Sequence, residues 1–139
     1  ETDIIIGHTE SFGNGSNDAY LLKTDSEGNE LWSRTYGGSG TDQGRHIAET
    51  LDQGYIISGY TDSYGSAGGF NFWLIKTDSN GGLEWQEYYG GQGNDRAFCG
   101  LQASDGGYAI VGQSNTGGST GMDILLVKTD DTGNADISQ

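Results

Sequence analysis

Lys-Thr-Asp occurs three times in this chain, at Lys23, Lys76 and Lys128, and the match runs well beyond the tripeptide: YLLKTDSEGNELW from Tyr20, WLIKTDSNGGLEW from Trp73 and LLVKTDDTGNADI from Leu125. The lysines stand 53 and 52 residues apart; Trp32 and Trp85, Asp42 and Asp95, Asp52 and Asp105, and Tyr55 and Tyr108 are each 53 apart. Periods of this size mark propeller blades, solenoid units or threefold arrays. A unit that short cannot bury both of its own apolar faces, so it must lean on copies of itself. The 139 residues therefore read as one repeat domain with units at about 1–42, 43–95 and 96–139.

The middle copy divides into four short strands separated by turn residues. GRHIAET comes first, the turn LDQG leads to YIISGYT, and the glycine-rich loop DSYGSAGGF leads to NFWLIKTD. SNGG then turns the chain into LEWQEYY, and GGQGND carries it to the next unit. Proline is absent, and no glycine-free run of ten residues holds a 3.6 period, so helix has no support. YIISG, YAIVG, WLIK and LLVK are nearly continuous apolar runs, the pattern of strands covered on both faces. LWSRTY and LEWQEYY mix aromatic and polar residues, as outer strands with one wet face do. The fold expected is all-β, a propeller-type array of four-stranded antiparallel blades; a β-trefoil or β-prism is the alternative, with twelve strands against the ten or eleven counted. The chain opens in the second strand of a unit and stops in a weakened fourth, about two and two-thirds periods. Three blades do not close a ring, so the reading expects further units in a longer protein or further copies.

Composition narrows the partners. Only 32% of residues are hydrophobic and 26 are glycine, which suits a turn-rich β protein whose apolar residues sit in β-branched and aromatic runs. The formal charge is −14, and the six cations are scattered singly. A phosphate backbone needs clustered Lys and Arg, so nucleic acid is excluded as an expected partner. No apolar run approaches the length of a membrane span. Cys99 is alone, which rules out an intrachain disulfide.

The repeated phrase is read as scaffold. Asp25, Asp78 and Asp130 open a tight turn whose backbone N–H groups they can accept, and Gly28, Gly81 and Gly133 can supply a positive φ. Trp32 and Trp85 then dock on the adjacent unit. Ile137 stands where the third tryptophan would be, a replacement that suits packing better than ligand stacking.

The units GYIISGYTDS and NFWLIKTDSNGGLEWQEYYGGQGNDRAF resemble the secreted β-propeller repeats of bacterial and archaeal surface proteins and lipoproteins. KTDSEGNELW is also similar to the tryptophan-docking segment of quinoprotein-type blades, with an Asp-to-Trp spacing one residue shorter than in that pattern. The resemblance implies a propeller fold and an extracellular or cell-surface location, and it implies no particular activity.

Candidate chemistry is sparse. GGSGTD, ending at Asp42, and GGQGND, ending at Asp95, fit the first six residues of a calcium-binding nonapeptide. That chemistry needs consecutive nonapeptides, and these lie 53 residues apart; GGSTGMD, from Gly117, falls in a different loop. Structural turns are the preferred reading, with calcium at Asp42 or Asp95 the only cofactor considered. His8 and His46 occupy unmatched positions and make no zinc spacing. No GxSxG elbow is present, and Glu84 and Glu87 are not set apart from their acidic neighbours. The chain is therefore expected to be no enzyme. Tyr60, Tyr64 and Phe70 are candidate ligand-binding aromatics for a lectin-like role, but they do not recur in the other copies. The expected function is a non-catalytic extracellular scaffold or protein-interaction module. Its partners would be other blades, copies of itself, surface proteins or glycans.

Overall fold

A computed structural model of the chain describes residues 1–65, 68–116 and 120–135. Its described elements are all strands: β1 (Thr2–Thr9), β2 (Asp18–Asp25), β3 (Glu30–Tyr36), β4 (Asp42–Glu49), β5 (Tyr55–Thr61), β6 (Asn71–Thr77), β7 (Leu83–Tyr89), β8 (Asp95–Gln102), β9 (Tyr108–Ser114) and β10 (Asp123–Lys128). They form three antiparallel meanders, one per repeat: β1-β2-β3, β4-β5-β6-β7 and β8-β9-β10. The bulges repeat as well. Register shifts fall at Gly44/His46 and again at Ala97/Cys99, and at Lys23/Thr24 and again at Lys76/Thr77. Each inserts a residue that steepens the local twist.

The period-2 alternation of a strand sends neighbouring side chains to opposite faces, and the middle sheet uses both. Ile57, Trp73 and Ile75 face the first sheet, where they meet Ala19, Leu21 and Tyr36. Ile56, Phe72 and Leu74 face the third sheet and meet Ala97, Ile110 and Val127. Every residue of β5 and β6 is buried. A fully buried side chain of this kind contributes about 1.5–3 kcal/mol of hydrophobic stabilisation before conformational entropy is set against it, so these two strands anchor both junctions.

The apolar runs of the third repeat behave differently from the expectation of cover on both faces. Ile110 and Val127 are buried, but Ile124 is 85% and Leu126 67% exposed. Only one side of that sheet meets another sheet among the described residues. Outer strands β3 and β7 have the expected wet face, with Leu31 and Leu83 about half exposed. Ile137, the replacement for the third tryptophan, lies outside the described residues, as does Gly117.

Candidate functional site

The repeated residues converge on the junctions between sheets. In each Lys-Thr-Asp turn the aspartate caps the loop: Asp25 Oδ1 accepts from Glu27 N and Asn29 N, Asp78 Oδ1 from Asn80 N and Gly82 N, and Asp130 Oδ1 from Thr132 N and Asn134 N. Side-chain donors join them, Asn29 Nδ2 to Asp25 Oδ2 at 3.0 Å and Thr132 Oγ1 to Asp130 Oδ1 at 2.7 Å. These are the largest causes, ahead of the backbone N–H groups, that hold the Asp25 and Asp130 carboxyls below the usual carboxylate range. The turn closes through Gly28, Gly81 and Gly133 at φ 85°, 77° and 87°, a conformation that costs other residues about 1–2 kcal/mol.

Two of these turns are sockets for the preceding sheet. A β-carbon added to Gly81 would lie 2.9 Å from the Trp32 ring, and one added to Gly133 would lie 2.7 Å from the Trp85 ring. The hydroxyl of Tyr36 donates to Gly81 O at 2.5 Å, and that of Tyr89 donates to Gly133 O at 2.6 Å. Burial pushes both phenols well above the ordinary tyrosine value, so they stay protonated and able to donate. A Trp and a Tyr from one sheet thus clasp a single turn glycine of the next, twice in the same form. A β-carbon added to Gly28 would meet nothing within 4 Å.

The lysine of the phrase is a second brace. Lys76 is buried, and its Nζ donates to Asp52 Oδ2 at 2.9 Å, Glu84 Oε2 at 2.9 Å and Thr77 O at 2.8 Å. Burial opposes its charge, but the bonds to Asp52 and Glu84 outweigh it and raise the lysine above its ordinary value. Asp52 is lowered to about 2, first by the Thr50 hydroxyl and then by Lys76. Lys128 repeats the contact with Asp105 at 2.8 Å and with Thr129 O at 3.0 Å. Lys23 turns instead to the Tyr55 hydroxyl, 3.2 Å away.

Asp42 and Asp95, the residues considered for calcium, are buried at the start of the first strand of their sheets. Asp42 accepts from the Thr61 hydroxyl, from Ser63 Oγ at 2.7 Å and from Gly38 N at 2.8 Å. Asp95 accepts from the Ser114 hydroxyl, from Thr116 Oγ1 at 2.9 Å and from Gly91 N at 3.0 Å. Charge-assisted bonds of this kind offset the cost of burying a carboxylate. Each aspartate so ties the loop between sheets to the end of the second strand of its own sheet. No group of three or more His, Cys, Asp or Glu side chains converges among the described residues. Next to Asp42, the carboxylate of Asp18 is also buried; its Oδ2 accepts from Asn14 N, and its Oδ1 has no partner.

The three aromatic candidates are not brought together as one surface. Tyr60 is buried, donates to Gln43 Oε1 at 2.6 Å and meets Phe70 edge-on at 5.0 Å; the Arg96 guanidinium covers both rings. Tyr64 lies elsewhere, stacked on Tyr88 at 5.9 Å and tilted against Trp73. It lines a shallow groove of about 380 Å³ with Arg34 and Gln86. His46 Nδ1 is 3.1 Å from Gly100 O in the third sheet. Glu84, set aside as a catalytic acid, is the partner of Lys76.

Sequence reasoning missed Tyr36, Tyr89 and the lysine braces. The signal was there: Tyr36 and Tyr89 are also 53 apart and both precede Gly-Gly. No helix among the described residues is long and apolar enough to cross a membrane. No protein-family model matches the chain, and no curated protein matches it.

Proposed function

We propose that the chain is a non-catalytic scaffold or protein-interaction module of propeller-type blades, working outside the cell or at its surface. One observation carries the reading: the side chains that recur from repeat to repeat are spent on bracing turns and clasping the next sheet. Meander order inside each repeat and face-to-face contact between repeats favour blades over a trefoil or prism. The acidic surface suits solubility in the open, and the resemblance to secreted surface repeats supports the location. Protease treatment of intact cells tests it. Digestion of the protein while a cytoplasmic marker survives is the expected result, and protection until lysis would refute a surface location.

A lectin-like role is the second reading. The Tyr64–Tyr88 plate beside Arg34 and Gln86 offers an aromatic face next to polar groups. A glycan array decides it. Binding that Tyr64→Ala abolishes supports the sugar site, and an empty array removes it.

A further inference from the structure

Among the described residues, the two outer faces of the stack repeat, strand for shared strand, the apolar rows by which the chain joins its sheets twice within itself. On the third sheet, Ile124 and Leu126 are 85% and 67% exposed, with Leu101 at 49% and Val111 at 39%. Leu126 pairs with Val111, which pairs with Cys99. In the middle sheet the same row is Leu74, Ser58 and His46, and there it is covered by the third sheet. Ile124 likewise holds the place of Phe72, which is fully buried. On the first sheet the opposite face meets no other sheet among the described residues. Ile5 is 50% exposed and pairs with Leu22, the positions at which the middle sheet has Ile57 and Ile75 buried against its neighbour. The Gly28 turn on that sheet has nothing within 4 Å of an added β-carbon, where Gly81 and Gly133 each receive a Trp. The third repeat has Ile137 at the tryptophan's place, so a contact between the outer faces rests on the apolar rows and not on this turn.

We infer that the exposed face of the third sheet docks on the exposed face of the first sheet in a second copy of this chain, head to tail. The inference rests on the reading of the chain as stacked blades and names the partner that such a stack takes. The occupant is argued from the repeat itself. In the strands the sheets share, each open face carries residues at places that a sister sheet covers one repeat away, so the surface it fits best is another sheet of this kind. The contact is heterologous: the two surfaces differ, so association either closes a ring or runs on as a filament. Two copies bring six sheets, within the four to eight that close a propeller ring, and the closed pair is the assembly assigned. Ile124 and Leu126 of one chain then lie against Ile5 and Leu22 of the other.

Light scattering on the 139-residue chain across about 1–100 μM, where a micromolar contact saturates, reads the assembly directly. The expected mass is twice the 14.7 kDa of one chain. Ile124→Lys/Leu126→Glu and, separately, Ile5→Lys change only exposed side chains. Each variant should keep the far-ultraviolet dichroism of the parent and weaken association by more than about tenfold. Mixed together, the two variants retain one intact junction per pair and should form one-to-one dimers that neither forms alone. That recovery would not occur if like faces met. A parent chain that stays monomeric over the whole range overturns the inference in favour of another module or another protein on these faces, and leaves the blade reading standing. Dimers indifferent to all three substitutions, or masses that climb without limit, also overturn it.

Discussion

Replacing Gly81 and Gly28 by alanine separates what a turn costs from what a junction costs. Both glycines occupy the same place in the same turn, at φ 77° and 85°, so the left-handed backbone costs each alanine about 1–2 kcal/mol. Alanine also narrows the unfolded ensemble and returns about 0.4–1 kcal/mol in both. The difference lies in the surroundings. At Gly28 the new methyl meets nothing within 4 Å; at Gly81 it lies 2.9 Å from both Arg34 Cγ and the Trp32 ring. Overpacking of that kind costs about 1–3 kcal/mol, because Trp32 is held in the junction and its ring must move. Gly28→Ala should therefore cost about 0–1.6 kcal/mol, and Gly81→Ala about 1–3 kcal/mol more. Urea unfolding followed by tryptophan fluorescence measures both variants. Equal losses would refute the claim that the turn of one sheet is the socket of the one before it.

Three further outcomes can be checked. Asp18→Asn should stabilise the fold by about 1–3 kcal/mol in thermal or urea unfolding, since it removes a buried charge with an unpartnered oxygen beside Asp42, and the next repeat already carries Asn71 there. The brace around Lys76 should set two pH limbs in the melting temperature. Asp52, depressed from 3.8 to about 2, contributes fully above 3.8 and loses its contribution as pH falls through about 2; Lys76, raised from 10.5, contributes fully below 10.5 and loses it as pH climbs through the raised value. The Asp52 side chain is 58% exposed, so Asp52→Asn should flatten the acid limb by only about 0.2–1 kcal/mol, and an unchanged acid limb would count against the brace. Chelation with EDTA should leave the melting temperature where it was, because hydroxyl and amide donors already engage Asp42 and Asp95; a fall would mean that an ion helps hold those loops.

The strand map of the middle repeat could be read from its residues, because alternation, β-branched runs and the Asp–Gly turns all act over a few positions. The Asp25, Asp78 and Asp130 turns are local in the same sense. Apart from the docking of Trp32 and Trp85 on the adjacent unit, contacts that cross from one repeat to the next could not be read. Tyr36 reaches Gly81 over 45 residues and Tyr89 reaches Gly133 over 44, and neither spacing is visible in a linear pattern until the direction of stacking is known. For the same reason YAIVG and LLVK read as doubly covered: apolar composition records what a face is suited to meet, not whether a neighbour stands there. Tyr60 and Phe70 read as candidate ligand-binding aromatics, but Arg96, from a later strand, lies over them.

The clasp at each junction grips a carbonyl oxygen and a bare α-carbon. Nothing in it depends on which side chains fill the two positions between the aspartate and the glycine, Ser26 and Glu27 in one copy, Ser79 and Asn80 in the next, Asp131 and Thr132 in the last. Copies can drift apart there without forgetting how to fit one another, so a duplicated unit needs no matching change in its neighbour at those two positions.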